Sequence, residues 1–246
     1  MFCCRSSCIE NYYQCGLQDT RQNMLLELFS QIINENCYNQ LRTQEQLGYI
    51  VFSGVRRSNG AQGLRVIVQS DRHPVYLDQR IESFLASVDT MLADMEEAEF
   101  KQHVEALASK RLEKPKKMSV RNGRYWSEIL SQHYNFNRDE IEVTVAVQCT
   151  FPFIELFQVS CLRELSKEDV ISFYKQFITD TDVRRKLSCH VVSTCDGGAA
   201  TCDTDVASEA DNWRQISDIT AFKSSLPLYP LAKPFVEVAT LRRQDP

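Results

Sequence analysis

The sequence has no apolar run close to the ~20 residues that a membrane-spanning helix requires. It also has no basic segment followed by a long apolar core near its N-terminus, so we predict no secretory signal peptide. An excess of positive charge is missing too, since the formal net charge is -5, which argues against general affinity for nucleic acid. We therefore expect a cytoplasmic protein that neither spans a membrane nor binds nucleic acid.

A disulfide framework is also missing, although the chain contains ten cysteines. Their spacing shows neither two Cys-x-x-Cys pairs nor the arrangement of small secreted domains. We therefore expect reduced thiols, as in a cytoplasmic protein. The hydrophobic fraction of 43% in 246 residues is ordinary for a globular chain with a substantial core.

Several common catalytic patterns are absent as well. The chain has no Gly-x-Ser-x-Gly elbow, no phosphate-binding P-loop and no dinucleotide-binding glycine set. Cys189 and His190 are neighbours on a predicted strand, where adjacent side chains point to opposite faces, so they would not act on each other. Local patterns therefore indicate no enzyme class.

The sequence does contain clear signals for helices and strands. Asp19 or Thr20 is a suitable N-cap for one helix, and Ser166 with Asp169 forms an approximate capping box for another. Apolar spacing predicts helices over residues 20–47, 74–95, 96–112, 119–130, 166–178 and 219–226, and strands over 9–14, 49–57, 64–69 and 186–192. This pattern predicts an α+β fold, with a mostly antiparallel sheet packed by helices on one face.

The most informative stretch runs from the end of the first long helix into a β-hairpin. We predict that Gly48 ends the helix by adopting a positive φ, and that residues 58–60 form the hairpin turn. Arg42 precedes Gly48 and Tyr49 follows it, so both lie near a helix-to-strand junction. Side chains on such connections often bind or react.

This stretch also carries a family resemblance. Residues 41–57 read LRTQEQLGYIVFSGVRR, and the similarity resumes in NGAQGLRVIVQS, RLEKPKKMS, YWSEILSQHYNF, LSKEDVISFYKQF and LPLYPLAKP. Taken together and in this order, these segments resemble the last domain of the insulysin branch of the pitrilysin family of zinc metallopeptidases. The resemblance covers most of the chain from Cys8 to Pro234. It implies the same α+β fold.

Peptide hydrolysis in this family implies a zinc ion on two histidines and a glutamate, with a second glutamate as base, in an inverted His-x-x-Glu-His motif. The four histidines here, His73, His103, His133 and His190, do not form it. His103 precedes Glu105, but no second histidine follows at the required spacing. We therefore predict no metal or other cofactor in this chain, with zinc in the N-terminal half of the longer relatives.

The resemblance assigns substrate contacts instead. In insulysin-like enzymes the C-terminal half closes over the N-terminal half around the peptide, and the matching positions here are Arg42 and Tyr49. A guanidinium suits peptide carbonyls, and a phenol suits the charge that develops on the scissile carbonyl. Arg56 and Arg57 are further candidates for substrate binding along the chamber. The alternative is that Arg42 pairs with Glu45 at the surface and Tyr49 only packs at a strand end.

Three interpretations of the whole chain remain open. The first is the C-terminal, non-catalytic part of an insulysin-like zinc metalloendopeptidase. Its partners would be peptide substrates, the N-terminal catalytic half and, in some assemblies, further copies of itself. The second is a metal-free module that binds peptides or proteins. The third is an incomplete gene model, because the relatives carry more strand sequence ahead of the match.

The predicted domain organisation has one large unit. Residues 1–7 do not match the family, residues 8–195 form the insulysin-like domain, 196–211 form an exposed loop, and 212–246 form a last helix and tail. Residues 144–160 interrupt the family match with an apolar insertion whose only charge is Glu155. We expect it to be a splicing or gene-model artefact, because such a run is prone to aggregation. A transcript that joins Val143 directly to Cys161 would establish this.

Overall fold

The computed structural model describes residues 6–139, 162–193 and 214–227. The strands are β1 (Ser7–Leu17), β2 (Ile50–Ser58), β3 (Ala61–Ser70) and β4 (Lys186–Val191). The helices are α1 (Thr20–Tyr38), α2 (Pro74–Asp94), α3 (Glu97–Leu112), α4 (Met118–Leu130), α5 (Lys167–Tyr174) and α6 (Ile219–Ser225). Wider π-helical turns extend α1 over Asn39–Gln44 and α5 over Lys175–Thr179, and a short 3-10 turn spans Leu162–Glu164.

The four strands form one antiparallel sheet in the order β2-β3-β1-β4. Side chains that alternate along the strands point into the core on one face of this sheet, among them Ile9, Tyr13, Leu64, Val66 and Val68, which are fully buried. Helices α1 and α2 pack against that face. The predicted α+β fold, with helices on one face of an antiparallel sheet, is confirmed.

The helix starts follow the sequence signals. The Asp19 side chain accepts a hydrogen bond from the Gln22 amide at 3.1 Å and so caps α1. Ser166 and Asp169 form the predicted capping box at the start of α5. Pro74 stands at the first position of α2, where a missing amide hydrogen bond costs nothing.

The β2–β3 turn lies within the predicted range 58–60 but contains two residues, because Ser58 is the last residue of β2. Asn59 and Gly60 have φ values of 50° and 79°, and Ser58 pairs directly with Ala61. Two successive positive φ angles are typical of the tight hairpin turn that matches the natural twist of the strands. This turn fixes the hairpin register and therefore the position at which β2 begins.

A partly buried ionic cluster ties α2 to the sheet beneath it. Lys186 on β4 contacts Asp78 at 2.6 Å and Glu82 at 2.7 Å, both on α2. Glu82 also accepts hydrogen bonds from the Tyr13 hydroxyl at 2.7 Å and from Arg184 at 2.8 Å. Each charge therefore has an opposite charge or a hydrogen bond, as burial requires. We call these five side chains the sheet cluster.

Several of the sequence predictions concern residues beyond the described ranges. The apolar insertion at 144–160, the loop at 196–211, the first five residues and the tail after residue 227 all lie outside them. The predicted domain boundaries accordingly stay predictions. Within the described ranges, no helix combines the length and apolar character needed to cross a membrane.

Candidate functional site

The candidate site lies where α1 runs into β2. The last turn of this helix is π-helical, and the Glu45 amide donates to the Gln40 carbonyl at 2.9 Å. Arg42 lies within this wider turn. Such turns interrupt regular helices and occur often at functional sites.

The chain leaves the helix by a route that differs from the prediction for Gly48. The positive φ, 51°, falls on Gln46, and Gly48 is not in that conformation. The Leu47 amide then closes the turn by donating to the Leu41 carbonyl at 3.0 Å. Gly48 is required for a different reason, because a Cβ atom there would lie 1.7 Å from the Gln69 carbonyl oxygen. The glycine permits a close approach of two backbones.

The structure brings Arg42 and Tyr49 together across this corner. Arg42 Nη1 donates to the Gly48 carbonyl at 3.1 Å, and its guanidinium carbon lies 5.1 Å from the centre of the Tyr49 ring. The distance suits a cation–π contact. The Tyr49 side chain is nevertheless 84% exposed. We call Arg42 and Tyr49 the junction pair.

Arg42 and Tyr49 both have hydrogen-bonding groups that are not used within the described part of the chain. Arg42 Nε is buried and has no hydrogen-bond partner among the described residues. A guanidinium carries five N–H donors, and the half-exposed Arg42 side chain can donate to a ligand through its Nη groups, although not through the buried Nε. The Tyr49 hydroxyl is exposed and can act as donor or acceptor. These are suitable groups for binding the carbonyl oxygens of a peptide.

The alternative ion pair between Arg42 and Glu45 is not formed. Glu45 instead accepts two hydrogen bonds from Arg80 on α2, from Nε and Nη2, each at 2.7 Å. Gln40 Nε2 adds a third at 3.0 Å. The hydrogen bonds from Arg80 lower the pKa of the Glu45 carboxyl, and burial opposes them. Glu45 is therefore a fixed anion at the base of the corner.

Arg56 and Arg57 lie at the opposite end of β2 from Tyr49. About seven residues of strand separate them from the junction pair, roughly 23 Å at 3.3 Å per residue. Arg56 is on the solvent face, where it contacts Glu10 at 2.8 Å. Arg57 is on the helix face and contacts Glu27 at 2.7 Å. Two of the four candidate residues are thus brought together, and the other two form separate ion pairs.

The histidines have donor sets that do not fit zinc. His73 Nδ1 accepts the Val75 amide at 3.3 Å as the cap of α2, and His190 Nε2 lies 2.8 Å from Ser188 Oγ. His103 is on α3, and His133 is buried after α4. In the described ranges, no three residues of the His, Cys, Asp and Glu types come together as a metal site would need.

Sequence reasoning missed the contact between Glu45 and Arg80. The two residues are 35 positions apart, and each reads as an ordinary surface charge on its own helix. No spacing rule relates a residue at the end of one helix to a residue on the next helix when two strands lie between them. Only the packing of α2 beside the end of α1 brings them together.

Comparison with known proteins relates the chain to peptidases. A family model described as PQQ synthase PqqF-like, C-terminal lobe domain 4, matches residues 28–126. Insulin-degrading enzyme from Bos taurus is 47% identical over 238 residues, which cover 93% of this chain and 22% of that protein. The Homo sapiens enzyme gives the same identity and the same coverage.

A solved structure of pitrilysin has the same fold. Its TM-score is 0.68 at 19% sequence identity, and the match covers 91% of this chain and 22% of that one. The chain therefore spans about a fifth of the length of the relatives that it matches.

Proposed function

Because the chain is homologous to a part of the insulysin- and pitrilysin-type zinc peptidases, we propose that it is the C-terminal, non-catalytic part of an insulysin-like zinc metalloendopeptidase. In this proposal it supplies contacts to the substrate backbone and half of a closed peptide chamber. A separate N-terminal half would carry the zinc site. The chain alone would not cleave peptides.

One observation carries the proposal: the contact between Arg42 and the exposed Tyr49 ring, 5.1 Å from guanidinium carbon to ring centre. Tyr49 is exposed, yet its ring has a fixed neighbour, because Arg42 is held at the corner by its hydrogen bond to the Gly48 carbonyl. The phenol can donate to an oxygen that becomes negatively charged during attack on a peptide bond. The half-exposed guanidinium of Arg42, which donates through Nη1 to the Gly48 carbonyl, can bind an adjacent peptide carbonyl through a further Nη donor and fix the register of the peptide.

Arg56 and Arg57 take a secondary place in the proposal. Their ion pairs with Glu10 and Glu27 hold them at the far end of β2. Arg56 is the more exposed of the two, at 48% of its side chain. We propose that both contribute to the charge of the chamber wall, where a long peptide would extend beyond the junction pair.

The cellular context belongs to the proposal as well. Among the described residues, Cys8, Cys15, Cys37 and Cys189 are free thiols. Reduced cysteines are the usual state in the cytoplasm, and we place the protein there. Its partners would be peptides, the N-terminal catalytic half and, in some assemblies, a second copy of the chain.

The test is peptide cleavage by the purified chain, alone and mixed with a zinc-bearing N-terminal half from an insulysin relative. We expect cleavage only in the mixture. Arg42→Ala and Tyr49→Phe should each lower kcat in the mixture by about 10²- to 10³-fold, the usual effect of losing one donor to a developing oxyanion.

A matched control pair exists on α4. Arg121 lies over the Tyr125 ring with 5.7 Å between guanidinium carbon and ring centre, so it repeats the cation–π contact away from the junction. Arg121→Ala and Tyr125→Phe should leave cleavage in the mixture unchanged. Peptide binding without cleavage in any mixture would replace the proposal with a metal-free binding module. Cleavage by the chain alone would contradict it outright.

A further inference from the structure

The backbone at the corner between α1 and β2 is strained and needs support from other parts of the fold. Gln46 has a φ of 51°, a region that residues other than glycine rarely occupy. The turn before it is π-helical, which gives a weaker helical frame than a regular turn. Conformations of this kind persist only when the surrounding structure fixes them.

Glu45, immediately before Gln46, receives that support from another element. Arg80 places two parallel N–H donors on its carboxylate, each at 2.7 Å. A two-pronged contact of this kind fixes the orientation as well as the distance of the carboxylate. Gln40, one turn earlier, holds the same carboxylate at 3.0 Å. The residue that leads into the strained position is therefore held from two sides.

Arg80 lies on α2, a helix that is packed into the core. Its neighbours Leu77 and Ile81 on α2 are fully buried. The same helix carries Asp78 and Glu82 of the sheet cluster, which join it to β1 and β4. The contact with Glu45 thus ties the corner to a helix that is packed into the core and joined to two strands of the sheet.

Glu45 also lies between the two members of the junction pair along the chain. Arg42 precedes it in the same π-helical turn, and the Gly48 carbonyl that follows accepts the Arg42 hydrogen bond at 3.1 Å. A change in the path of residues 45–47 would therefore change the separation of Arg42 and Tyr49. Neither Arg80 nor Glu45 needs to touch the substrate for this effect.

We propose that Arg80 and Glu45 are positioning residues, whose two-pronged contact sets the geometry of the Arg42–Tyr49 junction pair. This inference rests on the proposed function for its effect on cleavage. Beyond that function, it gives α2 a role in the site, although α2 lies outside residues 41–57. Lysine cannot replace Arg80, because an ammonium lacks the planar pair of donors.

The first experiment compares Arg80→Lys, Arg80→Gln and Glu45→Gln in the full chain, mixed with the zinc-bearing half. We expect kcat/KM to fall by about tenfold to a hundredfold, because a displacement of about 1 Å is sufficient for such losses. The matched control is Arg138→Lys. Arg138 also donates two hydrogen bonds to one glutamate, Glu128, at 2.5 and 2.9 Å. Glu128 lies on α4 and not at the corner between α1 and β2. This control should leave cleavage unchanged.

A double-mutant cycle separates positioning from general destabilisation. If Arg80 acts through Arg42, then Arg80→Gln should cause no further loss of kcat/KM in a chain that already carries Arg42→Ala. An equal additional loss in that background would overturn the inference. So would full activity of Arg80→Gln alongside a strong loss in Arg42→Ala.

Hydrogen exchange provides a reading that does not depend on the peptidase function. The amides of Glu45 and Leu47 donate to the Gln40 and Leu41 carbonyls. In Arg80→Gln we expect both to exchange at least tenfold faster, and the same amides to be unchanged in Arg138→Lys. If Arg42→Ala does not affect cleavage, the proposed function fails, and this measurement still decides whether Arg80 holds the corner. Unchanged exchange in Arg80→Gln would overturn the inference.

Discussion

The sheet cluster and the junction pair use the same side-chain types in opposite ways. In the sheet cluster, the Tyr13 side chain is fully buried and its hydroxyl donates to Glu82 at 2.7 Å. At the junction, Tyr49 is 84% exposed and its hydroxyl has no hydrogen bond to any described residue. Arg184 forms an ion pair with Glu82, whereas Arg42 has no carboxylate partner within the described part of the chain.

The difference teaches how to separate stability from function in this fold. Polar groups that are buried and fully paired make the fold unique and cost free energy when one partner is removed. Exposed groups that are held in place but keep unused hydrogen-bonding capacity contribute little to stability and remain available for a ligand. Four sets of variants test this division, in order of decreasing expected effect.

Lys186→Ala should have the largest effect. It removes the cation from between Asp78 and Glu82, whose side chains are 5% and 30% exposed. Because the buried Asp78 carboxylate would then have no opposite charge, while Glu82 keeps Arg184, we expect the free energy of unfolding to fall by about 3–5 kcal/mol. Urea unfolding measures this, with Lys101→Ala as the control. That exposed lysine, 3.7 Å from Glu97, should cost about 0.5 kcal/mol or less.

The two tyrosines should respond in opposite ways to loss of the hydroxyl. Tyr49→Phe should leave the free energy of unfolding within about 0.5 kcal/mol of the wild type, because the side chain is exposed. In the mixture with a zinc-bearing half it should lower kcat by about 10²-fold or more. Tyr13→Phe should destabilise the fold by about 1–3 kcal/mol, because the Glu82 carboxylate loses a hydrogen bond, and should leave kcat unchanged. If the two variants changed the free energy of unfolding and kcat in the same way, the contrast between the sheet cluster and the junction pair would be wrong.

Gly48→Ala should have an intermediate effect. The new Cβ atom would overlap the Gln69 carbonyl oxygen, so one of the two backbones must move, at a cost of about 1–3 kcal/mol. Thermal unfolding measures the loss. Gly123→Ala on α4 is the matched control, because a Cβ atom at that position would meet no described atom within 4 Å. There we expect a gain of about 0.5–1 kcal/mol.

The smallest effect concerns pH. Burial alone would raise the pKa of Glu82, but Lys186, the Tyr13 hydroxyl and Arg184 outweigh it and lower that pKa below the ordinary glutamate value. A carboxyl with a lowered folded-state pKa stabilises the fold above its unfolded value of about 4.3, and this stability is lost as pH falls through the folded-state pKa. Glu82→Gln should therefore flatten the decrease in unfolding free energy below about pH 5. Equal slopes in both proteins would contradict the pKa direction.

Much of the fold could be predicted from local patterns. The cap at Asp19, the capping box at Ser166 and the turn at Asn59 and Gly60 depend on residues a few positions apart, and all three are present as expected. The alternation of Leu64, Val66 and Val68 correctly gave the buried face of β3. Such signals are reliable because both partners of each interaction lie within one helical turn or one hairpin.

The site could be predicted only in part. Arg42 and Tyr49 were selected by resemblance, and their contact across the corner became visible only in the structure. Gly48 was identified as necessary for a reason that proved wrong, because its neighbour Gln69 belongs to another strand. The ion pair of Arg42 with Glu45, which the sequence left as an alternative, is not formed, since Arg42 is close along the chain but Arg80 is the residue that binds Glu45 in space.

The sequence by itself determined the helices, the strands, the hairpin register and the family resemblance, because each depends on residue type and short spacing. The tertiary structure decided which charges pair, why Gly48 must be glycine, and which helix holds the junction pair. Those outcomes depend on contacts between residues far apart in the chain: 21 positions for Gly48 and Gln69, 35 for Glu45 and Arg80, and 108 for Lys186 and Asp78. Such contacts follow from how whole elements pack, which no local pattern encodes.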